Sequence, residues 1–209
     1  MKAHSVLSAA ILVLLASSAA SSAHAGTVTF SGPISKCSMH QLENKVKSLS
    51  QAGDRNITVK IGTSDGGDLY AALKTAEELR RFNVNTHATG ECASACTALY
   101  AAGRARSAKG ARFMFHGVQV ATHKLKKETV GAISTDPCQP SAVKITKGEA
   151  LTKAERQGFK EKFAGDWLSA IRIASPSLAN ELDRKDTLLR DGEKWYSTSA
   201  AAKHGYVNN

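Results

Sequence analysis

Apolar and polar residues alternate across 27–34 (TVTFSGPI), the period of a half-buried strand that Gly32-Pro33 brings to a close. The spacing then lengthens. Met39, Leu42, Val46 and Leu49 recur at helical steps, which predicts an amphipathic helix capped by Ser38, with Gln41 three residues on, and ended by Gly53-Asp54. A second strand is expected over 56–62 (NITVKIG). Leu69, Ala72, Leu73, Ala76 and Leu79 then mark a second helix, capped by Asp68 and ending near Phe82. A third strand spans 84–89, and 90–103 (GECASACTALYAAG) reads as a tight turn into a buried helix with Ser94 in its first turn. After a basic turn at 104–110 (RARSAKG), a fourth strand at 111–115 (ARFMF) delivers His116 at its end.

This order, β-α-β-α-β-α-β with short connections, predicts an α/β fold with a mainly parallel sheet flanked by helices. Beyond it, 117–148 is polar and Lys-rich and holds Pro137 and Pro140, so an irregular insertion is expected there. Thr152 and Glu155 form a capping box, and Phe159, Phe163, Trp167 and Ile171 share one side of the helix that follows, reading as core or subunit contact. Ser175-Pro176-Ser177 breaks that helix, and a shorter one is expected at 178–182.

Residues 1–25 carry one basic residue, Lys2, an apolar run over 6–16, and Ala23-His24-Ala25. That is the layout of a cleaved signal peptide, so 26–209 is expected as a single domain in the periplasm or secreted. No later apolar run is long enough for a membrane helix, so the cleaved chain is not expected to be transmembrane. The net charge of +10 is spread along the sequence, with clusters only at Arg80-Arg81 and around Lys124, Lys126 and Lys127. Without interleaved aromatic residues it reads as a surface property, not a specific nucleic-acid platform. The four cysteines of an exported chain point to disulfides. Cys92 and Cys96 are close enough to bridge around Ser94, which would leave Cys37 with Cys138, and the two crossed pairings stay open. A metal site is not expected, because the C-x-x-x-C spacing has no second ligand pair.

Candidate chemistry lies in three places. Gly66-Gly67, after the second strand, permits positive φ and bare backbone N–H groups at a concave edge. Ser94 sits where unpaired helical N–H groups would face a developing oxyanion, and His116 ends the next strand. A neutral serine needs such a base to take its proton.

Taken in order, Ser64-Asp65-Gly66-Gly67-Asp68, Gly90-Glu91-Cys92-Ala93-Ser94, Ala101-Ala102-Gly103 and Phe113-Met114-Phe115-His116 resemble the Clp protease proteolytic subunit and its relatives in the ClpP/crotonase superfamily. The tail, from Trp195-Tyr196-Ser197 to His204-Gly205-Tyr206-Val207-Asn208, is similar to that family's closing stretch. The resemblance implies Ser94 as nucleophile, His116 as general base, and the N–H groups of Gly67 and Ala95 as the oxyanion hole. It implies an acid two positions before Trp195, which is Glu193, with Asp191 as the alternative. Two departures stand out. Asp65 replaces the family's usual proline and puts an acidic group near the oxyanion site, and cysteines flank Ser94.

A peptide or protein substrate follows from the resemblance. No ATPase partner and no cofactor are expected outside the cytoplasm, and homo-oligomer formation is left open. The competing expectation is a non-catalytic module of the same fold, holding an anionic or protein partner on its basic surface and insertion.

Overall fold

The computed structural model describes residues 25–129, 135–139 and 143–209; the expected signal peptide lies outside these except for Ala25. The chain begins β1 (Thr27–Phe30), α1 (Lys36–Gln51), β2 (Thr58–Ile61), α2 (Leu69–Arg81) and β3 (Asn85–Ala88), near the positions that periodicity predicts. Two three-residue strands, β4 (Glu91–Ala93) and β5 (Arg106–Ala108), then bracket a short α3 (Cys96–Tyr100). The sequence reads these segments as turns and a longer helix, because three residues are too few for alternation to register. Next come β6 (Arg112–His116), β7 (His123–Thr129), β8 (Val143–Ala150), α4 (Lys153–Ala174), α5 (Pro176–Arg184), β9 (Glu193–Ser197) and α6 (Thr198–Lys203).

One sheet has the order β1-β2-β3-β5 and is parallel throughout. A second has the order β4-β6-β9, with β9 antiparallel to β6. An isolated bridge between Ser64 and Cys92 joins the turn after β2 to β4. The α/β expectation therefore holds, with the parallel strands divided between two sheets. Part of the segment expected to be irregular instead forms an antiparallel hairpin of β7 and β8. Its strands are so rich in lysine that the sequence gives no apolar face to signal them. At α1 the cap is Ser35 rather than Ser38. Ser38 occupies the third helical position and closes a reciprocal capping box with Ser35.

Aromatic rings fill the space between the second sheet, α3 and α4. Tyr100 and Phe113 lie 4.6 Å apart between centroids, and Tyr206 meets Phe113 edge-on at 5.3 Å. Arg106, on β5, is buried beside them and forms no ion pair with a carboxylate among the described residues. Its guanidinium donates to the carbonyls of Gly103, Ala174, Gly205 and Tyr206, at 2.7 to 3.3 Å. Ala174 ends α4, and the other three follow α3 and α6, so the cation is held largely by the negative ends of helices. Asn208 adds a two-way clasp to the backbone of Arg106.

Two disulfides form, Cys37–Cys138 and Cys92–Cys96, which settles the pairing that the sequence left open. The first ties the start of α1 to the segment between β7 and β8, and the second spans the turn between β4 and α3.

Candidate active site

Ser94 lies between β4 and α3 with φ 54°. The other non-glycine residues at positive φ among the described residues are Asn83 and Asp186, types that tolerate the left-handed region, whereas serine has less reason to be there. The helix is capped one residue later, by Ala95, with no side-chain cap bond. Ser94 therefore stands ahead of the helix, not in its first turn, and its hydroxyl is not used as a cap. Its backbone is pinned on both sides. Ser94 N–H donates to the Met114 carbonyl at 2.9 Å, and its own carbonyl accepts from Thr97 N–H at 3.0 Å and from the Thr97 hydroxyl at 2.8 Å. The Cys92–Cys96 bond closes the same turn covalently.

The glycine pair packs against this turn. A Cβ on Gly66 would sit 2.7 Å from the Ser94 Cβ and 3.0 Å from the Ala95 nitrogen; one on Gly67 would sit 2.3 Å from the Ile34 carbonyl oxygen. Both residues also have positive φ, so glycine is required twice over. The turn is stitched to its neighbours by Ile34 N–H to Gly66 O and Asp68 N–H to Ile34 O, at 2.8 and 3.0 Å. Neither Gly67 N–H nor Ala95 N–H donates a hydrogen bond within the described residues. Ala95 is fully buried, and an unpaired N–H in such a place is rare unless something else is meant to occupy it.

His116 ends β6 and lines the same cleft as Ser94, Asp65 and Gly67, a space of about 760 Å³. Its Nδ1 lies 2.6 Å from the Gly117 carbonyl oxygen. A carbonyl can only accept, so Nδ1 carries the hydrogen and Nε2 of the neutral ring is left as an acceptor. No hydrogen bond joins Ser94 and His116 among the described residues. In free enzymes such bonds are commonly long and tighten with substrate.

Glu193 lies directly across from His116 in the β6–β9 register, but its carboxylate accepts from the Trp195 indole N–H at 3.0 Å, not from the imidazole. Asp191 is 93 % exposed and lies 4.0 Å from Lys160 Nζ. Both residues border a smaller space of about 400 Å³ that His116 also lines.

Leu69, Val118, Phe163 and Trp167 give the cleft an apolar wall, and Phe159 lies at its edge. The aromatics of α4 that read as core or subunit contact therefore divide. Ile171 is core, Trp167 is buried yet also lines the cleft behind His116 at 6.1 Å between rings, and Phe159 and Phe163 face the cleft. Thr97 was not singled out by the sequence. A threonine inside an apolar helix gives no signal of its own, yet it anchors Ser94, Trp167 and Tyr206 together.

A model of the Clp protease family matches residues 15–147, a span that holds the glycine pair, Ser94 and His116 and stops before α4 and the tail. No curated protein gives a match to the chain. Matched over more than half of its length, the chain belongs to the Clp protease family.

Proposed function

We propose that the chain is an exported, ATP-independent serine peptidase with Ser94 as nucleophile and His116 as general base. The observation that carries this reading is the left-handed conformation of Ser94 at a strand-to-helix turn packed on Gly66. Strain of this kind collects at functional sites, and it presents a hydroxyl outward from a sharp turn. In the proposed reaction, Ser94 Oγ attacks the peptide carbonyl while its proton passes to His116 Nε2. The resulting oxyanion takes the N–H groups of Gly67 and Ala95. The intermediate then collapses, the C–N bond breaks, and the amine leaves with the proton from His116. Water, deprotonated by the same imidazole, hydrolyses the acyl-enzyme. The Gly117 carbonyl fills the orienting place that a carboxylate fills in other triads. Loss of one oxyanion donor is worth on the order of a hundredfold in rate or more.

Export is supported by the composition of residues 1–25 and by two disulfides, which persist in oxidising compartments. Outside the cytoplasm there is no ATP-driven unfoldase to feed the site, so short or unfolded segments are the substrates this reading favours.

A fluorophosphonate probe tests the reading. Labelling of the wild type, with none in Ser94→Ala and a severe loss in His116→Ala, is the expected result. Equal labelling of wild type and Ser94→Ala sinks it. In that case the non-catalytic binding module becomes the better account, since among the described residues no carboxylate is hydrogen-bonded to the His116 ring.

A further inference from the structure

The hairpin of β7 and β8 pairs with no other strand among the described residues, and nearly all of its described side chains are exposed. A two-stranded ribbon open on both faces is marginal by itself. This one is held at its base, where Leu151 N–H donates to Thr122 O and Lys124 pairs with Glu155 at 3.2 Å, and it is tethered beyond β7 by the Cys37–Cys138 bond.

The register decides what each face presents. Leu125 lies opposite Lys147, and Lys127 opposite Ile145, so these four side chains share one face, aliphatics on one diagonal and lysines on the other. Leu125 is 58 % exposed and Ile145 is 54 % exposed. Lys127 and Lys147 form no ion pair within the described residues, and neither do Lys126 and Lys144 on the opposite face. Lys124, by contrast, is bound to Glu149 and Glu155. Of the six exposed large hydrophobic side chains among the described residues, Leu125, Tyr70 and Phe159 line the cleft that holds Ser94, and Ile145 adjoins Leu125 on the hairpin.

We infer that this face docks on an anionic phospholipid surface, with Leu125 and Ile145 entering the headgroup layer and Lys127 and Lys147 reaching lipid phosphates. Lysine stems lie along apolar surface while their ammonium groups seek the polar layer, which is the arrangement a bilayer interface rewards. A second copy of the chain would bring lysines against lysines. An acidic protein partner would favour an aromatic anchor, and these four positions of the face carry only aliphatic and lysine side chains. Docked in this way, the mouth of the cleft lies at the membrane, and segments lying on or emerging from the bilayer become the substrates. The substrate part rests on the peptidase reading; the docking itself does not.

Vesicle co-sedimentation of the purified chain tests it. Binding is expected to phosphatidylcholine vesicles containing phosphatidylglycerol and not to phosphatidylcholine alone, and it falls as salt rises. Each lysine at such a surface contributes about fivefold, so Lys127→Glu with Lys147→Glu lowers partitioning at least about thirtyfold. Circular dichroism and intact disulfides serve as the check on folding. In Leu125→Trp, anionic vesicles shift the indole emission to shorter wavelength. Ser94→Ala binds like wild type, which separates failure of docking from failure of catalysis. The inference is overturned by equal binding to neutral vesicles, by no binding to anionic ones, by indifference to the lysine reversals, or by an unshifted emission. It is equally overturned if a polyglutamate peptide, and not vesicles, is what the lysines capture.

Discussion

The Trp167 indole N–H donates to the Thr97 hydroxyl at 2.9 Å, and that hydroxyl in turn donates to the Ser94 carbonyl at 2.8 Å. One buried threonine thus connects the long helix α4 to the candidate nucleophile. The Thr97 carbonyl also accepts from the Tyr206 phenol, so two remote stretches of chain converge on the turn that holds Ser94.

Replacing Thr97 by valine keeps the shape and removes the relay, leaving the Trp167 N–H buried and unpaired. A stability loss of about 1–3 kcal/mol is expected from urea unfolding. Misplacement of Ser94 should also slow fluorophosphonate labelling by about ten- to a hundredfold. Thr97→Ser, which keeps the hydroxyl, should restore most of the labelling rate.

The third group of the site can be identified by substitution. With His116 Nδ1 on the Gly117 carbonyl, Glu193→Gln and Asp191→Asn should each change labelling by less than about tenfold. An orienting carboxylate would cost on the order of ten-thousandfold. A loss of that size in Glu193→Gln would return the role to Glu193 and require its carboxylate to leave Trp195.

The two disulfides should separate in their effects. Cys37 and Cys138 are 101 residues apart, so removing that bond by paired serine substitutions should cost about 2–5 kcal/mol. Cys92 and Cys96 are only four apart, a loop whose closure is worth about 2 kcal/mol at most on the same reasoning. Its removal should instead slow labelling of Ser94 out of proportion to any change in the unfolding midpoint.

Glu181 gives a pH signature. The hydrogen bond from Lys185, assisted by the Tyr196 phenol and the charges of Lys185 and His204, holds its carboxyl below the ordinary glutamate range. A group whose pKa is depressed by folding contributes stability above its unfolded pKa and loses it as pH falls through the folded value. Wild-type stability should therefore decline on the acid side, below about pH 4.5. In Glu181→Gln the decline over that window should be shallower, as urea titrations at a series of acid pH values would read. Tyr196, pushed up first by burial and then by Glu181, stays a donor across the whole range.

The early half of the fold was legible because its strands and helices are long enough for periodicity to speak. Asp68 caps α2 as the residue pattern implies, and Thr152 and Glu155 close their box. What stayed hidden depends on contacts between distant residues. β5 looks like a turn because Arg106 is charged, and only the carbonyls of Gly103, Ala174, Gly205 and Tyr206 make it a buried strand residue. At the site, the glycine pair, Ser94 and His116 could be found from their order along the chain. The engagement of Glu193 by Trp195 and of His116 by Gly117 could not, since register alone puts Glu193 opposite the histidine.

Tyr206 packs into the aromatic cluster, and Asn208 clasps Arg106 from the far end of the chain. Arg106 and Asn208 stand 102 residues apart, so this part of the interior is sealed by a long-range contact, the kind that forms slowly because a long loop must first be closed.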